Sequence, residues 1–270
     1  MPAGRFLVAG TALTPGAELM LPVEVAHQTR DVLRLGVGAT ISLLDGAGGE
    51  YIAEIIAVSR TAVVVRLGER REGQTEPAAH ITLCVGMLKA AKFEWVLQKG
   101  TELGVAVFIP LLTERAVAAT EEMGASKRRR YERILAEAVE QCGGTRLPEL
   151  AAPRPLMHAM ASLPPGGVAL IPWEEARGVM LRQALHTALT DRAARGETSP
   201  PADIRLFIGP EGGFSAGEVA LAQRQGAIPV TLGPRILRAE TAALVAVTLT
   251  LDTLDLTIDA PPMEQGEDDS

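Results

Sequence analysis

The chain has 270 residues, is 47% hydrophobic and carries a net charge of −7; its two cysteines, Cys84 and Cys142, form no CxxC pair. At about 150 residues per domain the length suggests two domains, and no apolar run reaches the ~18 residues of a membrane span. The scattered histidines (His27, His80, His158, His186) exclude the usual metal-ligand spacings and a Ser-His-Asp hydrolase, so no metal is expected.

The acidic balance says little about nucleic acid, because it is concentrated at one end. Asp252, Asp255, Asp259, Glu264, Glu267, Asp268 and Asp269 fall within residues 252–270, which hold no Lys or Arg; without them the chain is neutral. Residues 256–270 are expected to be an acidic, disordered tail. The N-terminal "MPAGRFLVAGTALT" lacks a basic region, apolar segment and cleavage site, so a cytoplasmic protein with no membrane association is expected.

Residues 1–75 read mainly as strands. "RFLVAG" is a short apolar strand, and "VEVAHQTRDVLRL" has Val25, Val32 and Leu35 at helical spacing. "TISLLDGAGGEYIAEIIAVSRTAVVVRLGE" shows β-branched runs with "DGAGG" as a hairpin turn. One helix among several strands suggests a small barrel-like domain. The charged "ERREGQTEPAAH", 69–80, reads as the linker.

From residue 80 strands and helices alternate. "ITLCVGML" and "VAVFIPL" are strands around the amphipathic "AKFEWVLQKGTELG", which ends near Gly104. "SKRRRYERILAEAVEQC" is a long helix with Ser126 as its expected N-cap. "GVALIP", "IRLFIG" and "IPVTLG" are continuous apolar strands, with helices expected near 176–190, 215–226 and 239–254. Such alternation means an α/β domain whose parallel sheet is buried on both faces, with ligands beyond the strands' C-terminal ends.

Two strand ends draw attention. "GPEGGFSAGE" matches neither GxxxxGK[ST] nor GxGxxG, and Glu211 would repel a phosphate. A carboxylate there suits ribose hydroxyls or a positively charged ligand, while a tight turn holding no ligand stays open. "LGPRILRAETAAL" places Arg235 and Arg238 beside a helix start, either as surface arginines or as part of one pocket with the first loop. The basic run Lys127–Arg130 and Arg133 reads as a solvated helix face or a phosphate contact. With 3% aromatic content, a stacking platform for single strands is disfavoured.

The ordered set "AHQTRDVLRLGVG", "DGAGGEYIAEI", "FEWVLQKGTELGV", "EAVEQCG", "IGPEGGFSAGE" and "LGPRILRAETAAL" resembles the RsmE family of the SPOUT superfamily, over about residues 4–255. The resemblance implies an N-terminal PUA-like RNA-binding β-barrel, residues 1–75. It implies a C-terminal α/β domain with a trefoil knot, residues 80–255, that binds S-adenosyl-L-methionine. It further implies methylation of uridine N3 in 16S ribosomal RNA of the small subunit, by a homodimer. By position, Ile208, Gly209, Glu211, Gly212 and Gly213 would line one side of the cofactor. Leu232, Gly233, Ile236, Leu237, Arg238 and Thr241 would line the other, with Leu170 and Ile171 as the floor.

Arg238 is the candidate catalytic residue, stabilising negative charge that develops on uracil as N3 loses its proton. Glu211, Glu240 and solvent hydroxide remain open as the base. Arg5, Arg30, Arg34, Lys89, Lys92 and Arg130 are the expected RNA contacts. Two departures from the family pattern stand out: Gly144 where Arg is usual, and Ala116 where Ser is usual. A non-catalytic RNA-binding factor, a nucleotide-dependent dehydrogenase and a ribose 2′-O methyltransferase are the competing readings.

Overall fold

The computed structural model describes residues 2–73, 75–77, 79–116, 123–197 and 203–258. In chain order its elements begin with β1 (Arg5–Leu7), β2 (Glu18–Met20), α1 (Val23–His27, continued by a π turn, Gln28–Val32), β3 (Thr40–Leu44), β4 (Gly49–Val58) and β5 (Val63–Glu72). There follow β6 (Ile81–Gly86), α2 (Ala90–Glu102), β7 (Val107–Leu112), α3 (Ala125–Cys142), β8 (Glu149–Leu150), β9 (Arg154–Pro155) and α4 (Leu156–Ala161). The chain closes with β10 (Val168–Pro172), α5 (Leu181–Ala194), β11 (Ile204–Ile208), α6 (Ala216–Arg224), β12 (Ile228–Val230) and α7 (Ala239–Ile258).

The described residues pack as two compact units. The first takes in those within 2–77, 90–108 and 123–152; the second takes in those within 79–89, 109–116 and 153–258. The sequence reading divides the chain near residues 75–80, whereas packing groups α2 and α3 with the N-terminal strands.

In the first unit five strands run in the order β1-β3-β4-β5-β2. Alternating residues of β4 and β5 (Tyr51, Ala53 and Ile55; Val63, Val65 and Leu67) turn inward, the period-2 pattern of a half-buried sheet. Phe6, Leu43, Val25 and Ala26 close that core. β5 continues to Glu72, paired with Gly49, so the first residues of the expected 69–80 linker belong to the sheet. Backbone pairing with β4 overrides their charge.

The first unit also holds α3. Ser126, expected to cap it, lies inside the helix: the N-cap is Gly124, which makes no side-chain cap bond. The C-terminus behaves as read for α2, where Gly104 adopts φ +86, a conformation that favours glycine. The loop after α3 is fixed to the strands. Arg5 donates to the carbonyls of Gly143 (3.0 Å) and Gly144 (3.1 Å), and Glu140 accepts from the Leu7 amide at 2.8 Å.

In the second unit the strands lie in the order β12-β10-β11-β6-β7, with β9 beside the end of β7. β10 pairs in parallel with both β11 and β12, and β11 with β6. β6 and β11 are buried at every residue, as continuous apolar strands should be with helices over both faces. α7 packs on β11 and β6, and α5 on β10 and α7. Cys84 sits inside β6, where burial pushes its thiol pKa up and leaves it a core side chain rather than a nucleophile.

Two expected bounds move. α5 begins at Leu181 rather than 176, because Gly178 turns the chain at φ +86 and Met180 bridges to Thr231. α7 runs past 254 to Ile258, so the first residues of the expected 256–270 tail are helical; from Asp259 onward the tail lies outside the described residues. No described helix is long and apolar enough to cross a membrane.

Candidate functional site

Parallel pairing decides where the site forms. β10 lies between β11 and β12, so the loops that follow β11 and β12 leave the same sheet edge on either side of Leu170 and Ile171. In sheets of this kind that edge is where ligands bind.

The loop after β11 is a tight turn held on every side. The Gly213 amide donates to the Pro210 carbonyl at 2.9 Å, with Gly213 at φ +67. Glycine is favoured twice here, at Gly209 by the close approach of backbone and at Gly213 by its left-handed φ. A Cβ at Gly209 would lie 3.0 Å from the Phe214 nitrogen, and one at Gly213 would lie 2.5 Å from a Glu174 carboxylate oxygen. A third requirement comes from the neighbouring strand: a Cβ at Gly86, which ends β6, would lie 2.5 Å from the Pro210 nitrogen. Gly86→Ala is therefore expected to force the turn off the sheet edge, at about 1–3 kcal/mol of stability. Thermal unfolding of the variant checks this; an unchanged midpoint would contradict the close approach.

From the turn the chain enters α6 through a capping box. Ser215 accepts from the Glu218 amide (3.1 Å), and the Glu218 carboxylate accepts from the Ser215 amide (2.8 Å). Its other oxygen accepts from the Glu114 amide at 3.0 Å. Glu218 is buried, and these bonds satisfy a carboxylate that would otherwise be costly. Glu211 is exposed at the tip of the turn, and its Oε1 lies 3.4 Å from the Lys89 amide.

The loop after β12 is more open. Thr231 Oγ1 bonds the Gly233 amide (3.2 Å) and carbonyl (3.0 Å), and Gly233 adopts φ +130. The Ala242 amide donates to the Arg238 carbonyl at 2.8 Å, which fixes Arg238 immediately before α7 with its side chain exposed. Leu232, Gly233 and Leu237 are half-buried, Thr241 is exposed, and Ile236 is 85% exposed, unusual for a large apolar side chain. Leu170 and Ile171 are fully buried and Ile208 nearly so; what these strand ends offer a ligand is backbone.

Sequence reading missed several contributors. Arg115 donates to the carbonyls of Gly212 (3.1 Å) and Phe214 (3.4 Å) from the segment after β7. Thr113 Oγ1 and Trp173 Nε1, at the ends of β7 and β10, are buried with no hydrogen-bond partner among the described residues. Only Glu218 had a local signal, the S-x-x-E box from Ser215. Ala116, the second departure, closes a turn through its amide to the Thr113 carbonyl at 3.2 Å. That contact needs no hydroxyl.

The expected RNA contacts are scattered in their surroundings. In the first unit, Arg5 also pairs with Glu50 (3.2 Å), Arg30 with Asp31 (2.6 Å), and Arg130 with Glu94 (2.8 Å). Arg34 is exposed with φ 54, and Lys92 is half-buried on α2. Lys89 belongs to the second unit and is exposed. Within the basic run on α3, Arg128 pairs with Glu132 and Arg133 with Glu137 along their own helix. Among the described residues no cluster of three or more His, Cys, Asp or Glu could hold a metal ion.

Comparison with known proteins places the chain among RNA methyltransferases. Residues 74–251 match the RNA methyltransferase domain family, and residues 30–68 the RNA methyltransferase PUA domain. Ribosomal RNA small subunit methyltransferase E of Synechocystis is 34% identical, across 86% of this chain and 72% of its own length. The Bacillus subtilis protein of the same name is 29% identical over 83% and 86%. Among solved structures, a Legionella pneumophila putative methyltransferase with bound cofactor SAM is 33% identical. It superposes with a TM-score of 0.77 over 92% of this chain and 96% of its own. A Neisseria gonorrhoeae ribosomal RNA small subunit methyltransferase E bound to S-adenosyl methionine gives 27% identity and a TM-score of 0.78, covering 93% and 97%.

Proposed function

The chain belongs to the RsmE family of RNA methyltransferases, and on that footing we propose that it transfers a methyl group from S-adenosyl-L-methionine to N3 of a uridine in 16S ribosomal RNA of the small subunit. The observation that carries this reading is the pair of glycine-proline loops leaving one sheet edge on either side of β10.

The residues present fit such a cofactor. The turn 209–213 brings glycine backbone and the exposed Glu211 carboxylate to the edge, with no Lys that would select a phosphate. The orphaned Thr113 hydroxyl and Trp173 indole N–H, buried at strand ends, are polar groups a ligand could satisfy. Ile208, Gly209, Glu211, Gly212 and Gly213 would hold one side of the molecule, and Leu232, Gly233, Ile236, Leu237, Arg238 and Thr241 the other. Leu170 and Ile171 would close the floor. When bound, S-adenosylmethionine supplies an electrophilic methyl on a positive sulfur.

The chain's own part is orientation and charge. N3 of uridine bears a proton and must lose it as the methyl is accepted. Arg238, fixed by the start of α7, stabilises the negative charge that grows on the uracil carbonyl oxygens. The loops hold donor and base edge within reach, which lowers the entropic part of the barrier.

The finer architecture belongs to the same proposal. The five-stranded first-unit sheet would close as a PUA-like barrel over residues 1–75, and residues 80–255 would form the SPOUT domain. The loops after β11 and β12 would be part of a trefoil knot, an exception to ordinary connectivity. The exposed apolar side chains of Val179, Met180 and Ile236 support a homodimer. Arg5, Arg30, Arg34, Lys89, Lys92 and Arg130 would meet the RNA, in the cytoplasm.

The test supplies methyl-labelled S-adenosylmethionine and small subunits lacking the modification, then identifies the labelled nucleoside. Label in 3-methyluridine is expected. Label in a 2′-O-methyl nucleoside would overturn the target atom. Absence of both label and cofactor binding would leave an RNA-binding protein without catalysis.

A further inference from the structure

The geometry points to Arg115 as a positioning residue that sets the turn 209–215 in its ligand-ready form before any ligand arrives. The inference rests on the reading of that turn as the methyl-donor loop. Its warrant is the way two peptide planes are held. The Gly212 carbonyl accepts from Arg115 Nη1 at 3.1 Å, while the N–H of the same plane, on Gly213, donates to Pro210 at 2.9 Å. The Phe214 carbonyl accepts from the same Nη1 at 3.4 Å, while the N–H of that plane, on Ser215, donates to Glu218 at 2.8 Å. Each plane is gripped on both sides, and Arg115 supplies the outer grip of both.

The grip is itself anchored. Glu218 accepts from the Glu114 amide at 3.0 Å, so the residue beside Arg115 is tied to the carboxylate that caps α6. The Ala116 amide closes the turn back to Thr113 at 3.2 Å. The Arg115 side chain lies along Gly212, where a Cβ would meet its Cβ at 3.1 Å. A glycine turn with φ +67 at Gly213 has many alternatives open to it when free, so an outside strap reduces what a ligand must order on binding.

The experiment compares wild type, Arg115→Ala and Arg115→Lys in the full chain. Hydrogen exchange over 209–218 is followed without ligand, and S-adenosylmethionine and RNA affinities are measured by titration. For Arg115→Ala we expect faster exchange in that stretch and S-adenosylmethionine affinity about tenfold weaker, the scale of losing hydrogen bonds to a charged donor. RNA affinity and the unfolding midpoint should hold. Arg115→Lys, which keeps one donor to one carbonyl, should recover part of the cofactor affinity.

Unchanged exchange with unchanged affinity would overturn the strap. Faster exchange with unchanged cofactor affinity would overturn the link to the methyl donor and place its site elsewhere. If the wild type itself binds no S-adenosylmethionine, the enzyme reading falls, and the exchange comparison still supports or overturns the strap.

Discussion

Arg238→Ala should lower the methyl-transfer rate by a factor on the order of 10²–10³, the usual cost of removing one oxyanion-stabilising donor, with S-adenosylmethionine affinity changed less than about twofold. The split follows from placement. The Arg238 carbonyl is committed to the Ala242 amide at 2.8 Å, so the backbone stays in register with α7 whatever the side chain. The guanidinium is exposed, so its loss opens no cavity. It stands at the N-terminus of α7, whose helix dipole adds positive potential to its own charge. Negative charge forming on a base in front of that helix end meets both. Single-turnover kinetics with labelled cofactor, beside equilibrium titration, separates the two effects. Full activity would remove Arg238 from the chemistry. A parallel loss of cofactor affinity would show that its side chain, and not its backbone alone, holds the cofactor.

Asp203→Ala should destabilise the fold by about 3–5 kcal/mol, the scale expected when one partner of a buried ion pair is removed. Asp203 and Arg205 are both nearly fully buried at the start of β11. The carboxylate takes Arg205 Nε at 3.1 Å and Nη2 at 2.6 Å, and faces His80 Nδ1 at 3.3 Å. Arg205 also donates to the Ala159 carbonyl at 2.5 Å and the Ser162 hydroxyl at 2.9 Å. Removing Asp203 strands a buried cation whose other partners are neutral. Denaturant unfolding of the variant measures the loss, and a change below about 1 kcal/mol would show that the guanidinium finds water or another acceptor. Replacing both residues by apolar ones should cost much less than the single change, since no charge is left behind.

The buried run "IRLFIG" shows how much was legible. Its apolar continuity announces a strand covered on both faces, and β11 is that strand, yet the only local partner of the arginine within it is Asp203, two residues before. The other partners lie 43–46 residues away, in Ser162 and Ala159 of α4 and the loop after it. The charged "ERRE" shows the converse. Composition marks a linker, but β4 offers a backbone partner and the residues extend β5 to Glu72. Ser126 has the right chemistry for a cap but lies two residues past the N-cap Gly124, inside a helix that starts at Ala125. The α3 basic run carries the charge a phosphate track would need, and acids one turn along, with Glu94 on α2, take up much of it.

By itself the sequence determined the alternation of strands and helices, the buried parallel sheet and the two glycine-proline loops, because these are short-range matters of hydrophobic period and backbone freedom. It also contained, within four residues, the Ser215–Glu218 box that starts α6. Only the tertiary structure decided that β10 separates β11 from β12, that Gly86 must be bare to admit Pro210, and that Arg115 reaches Gly212 from 97 residues away. Those facts depend on strand order and on contacts between distant segments, and a local pattern carries no term for either.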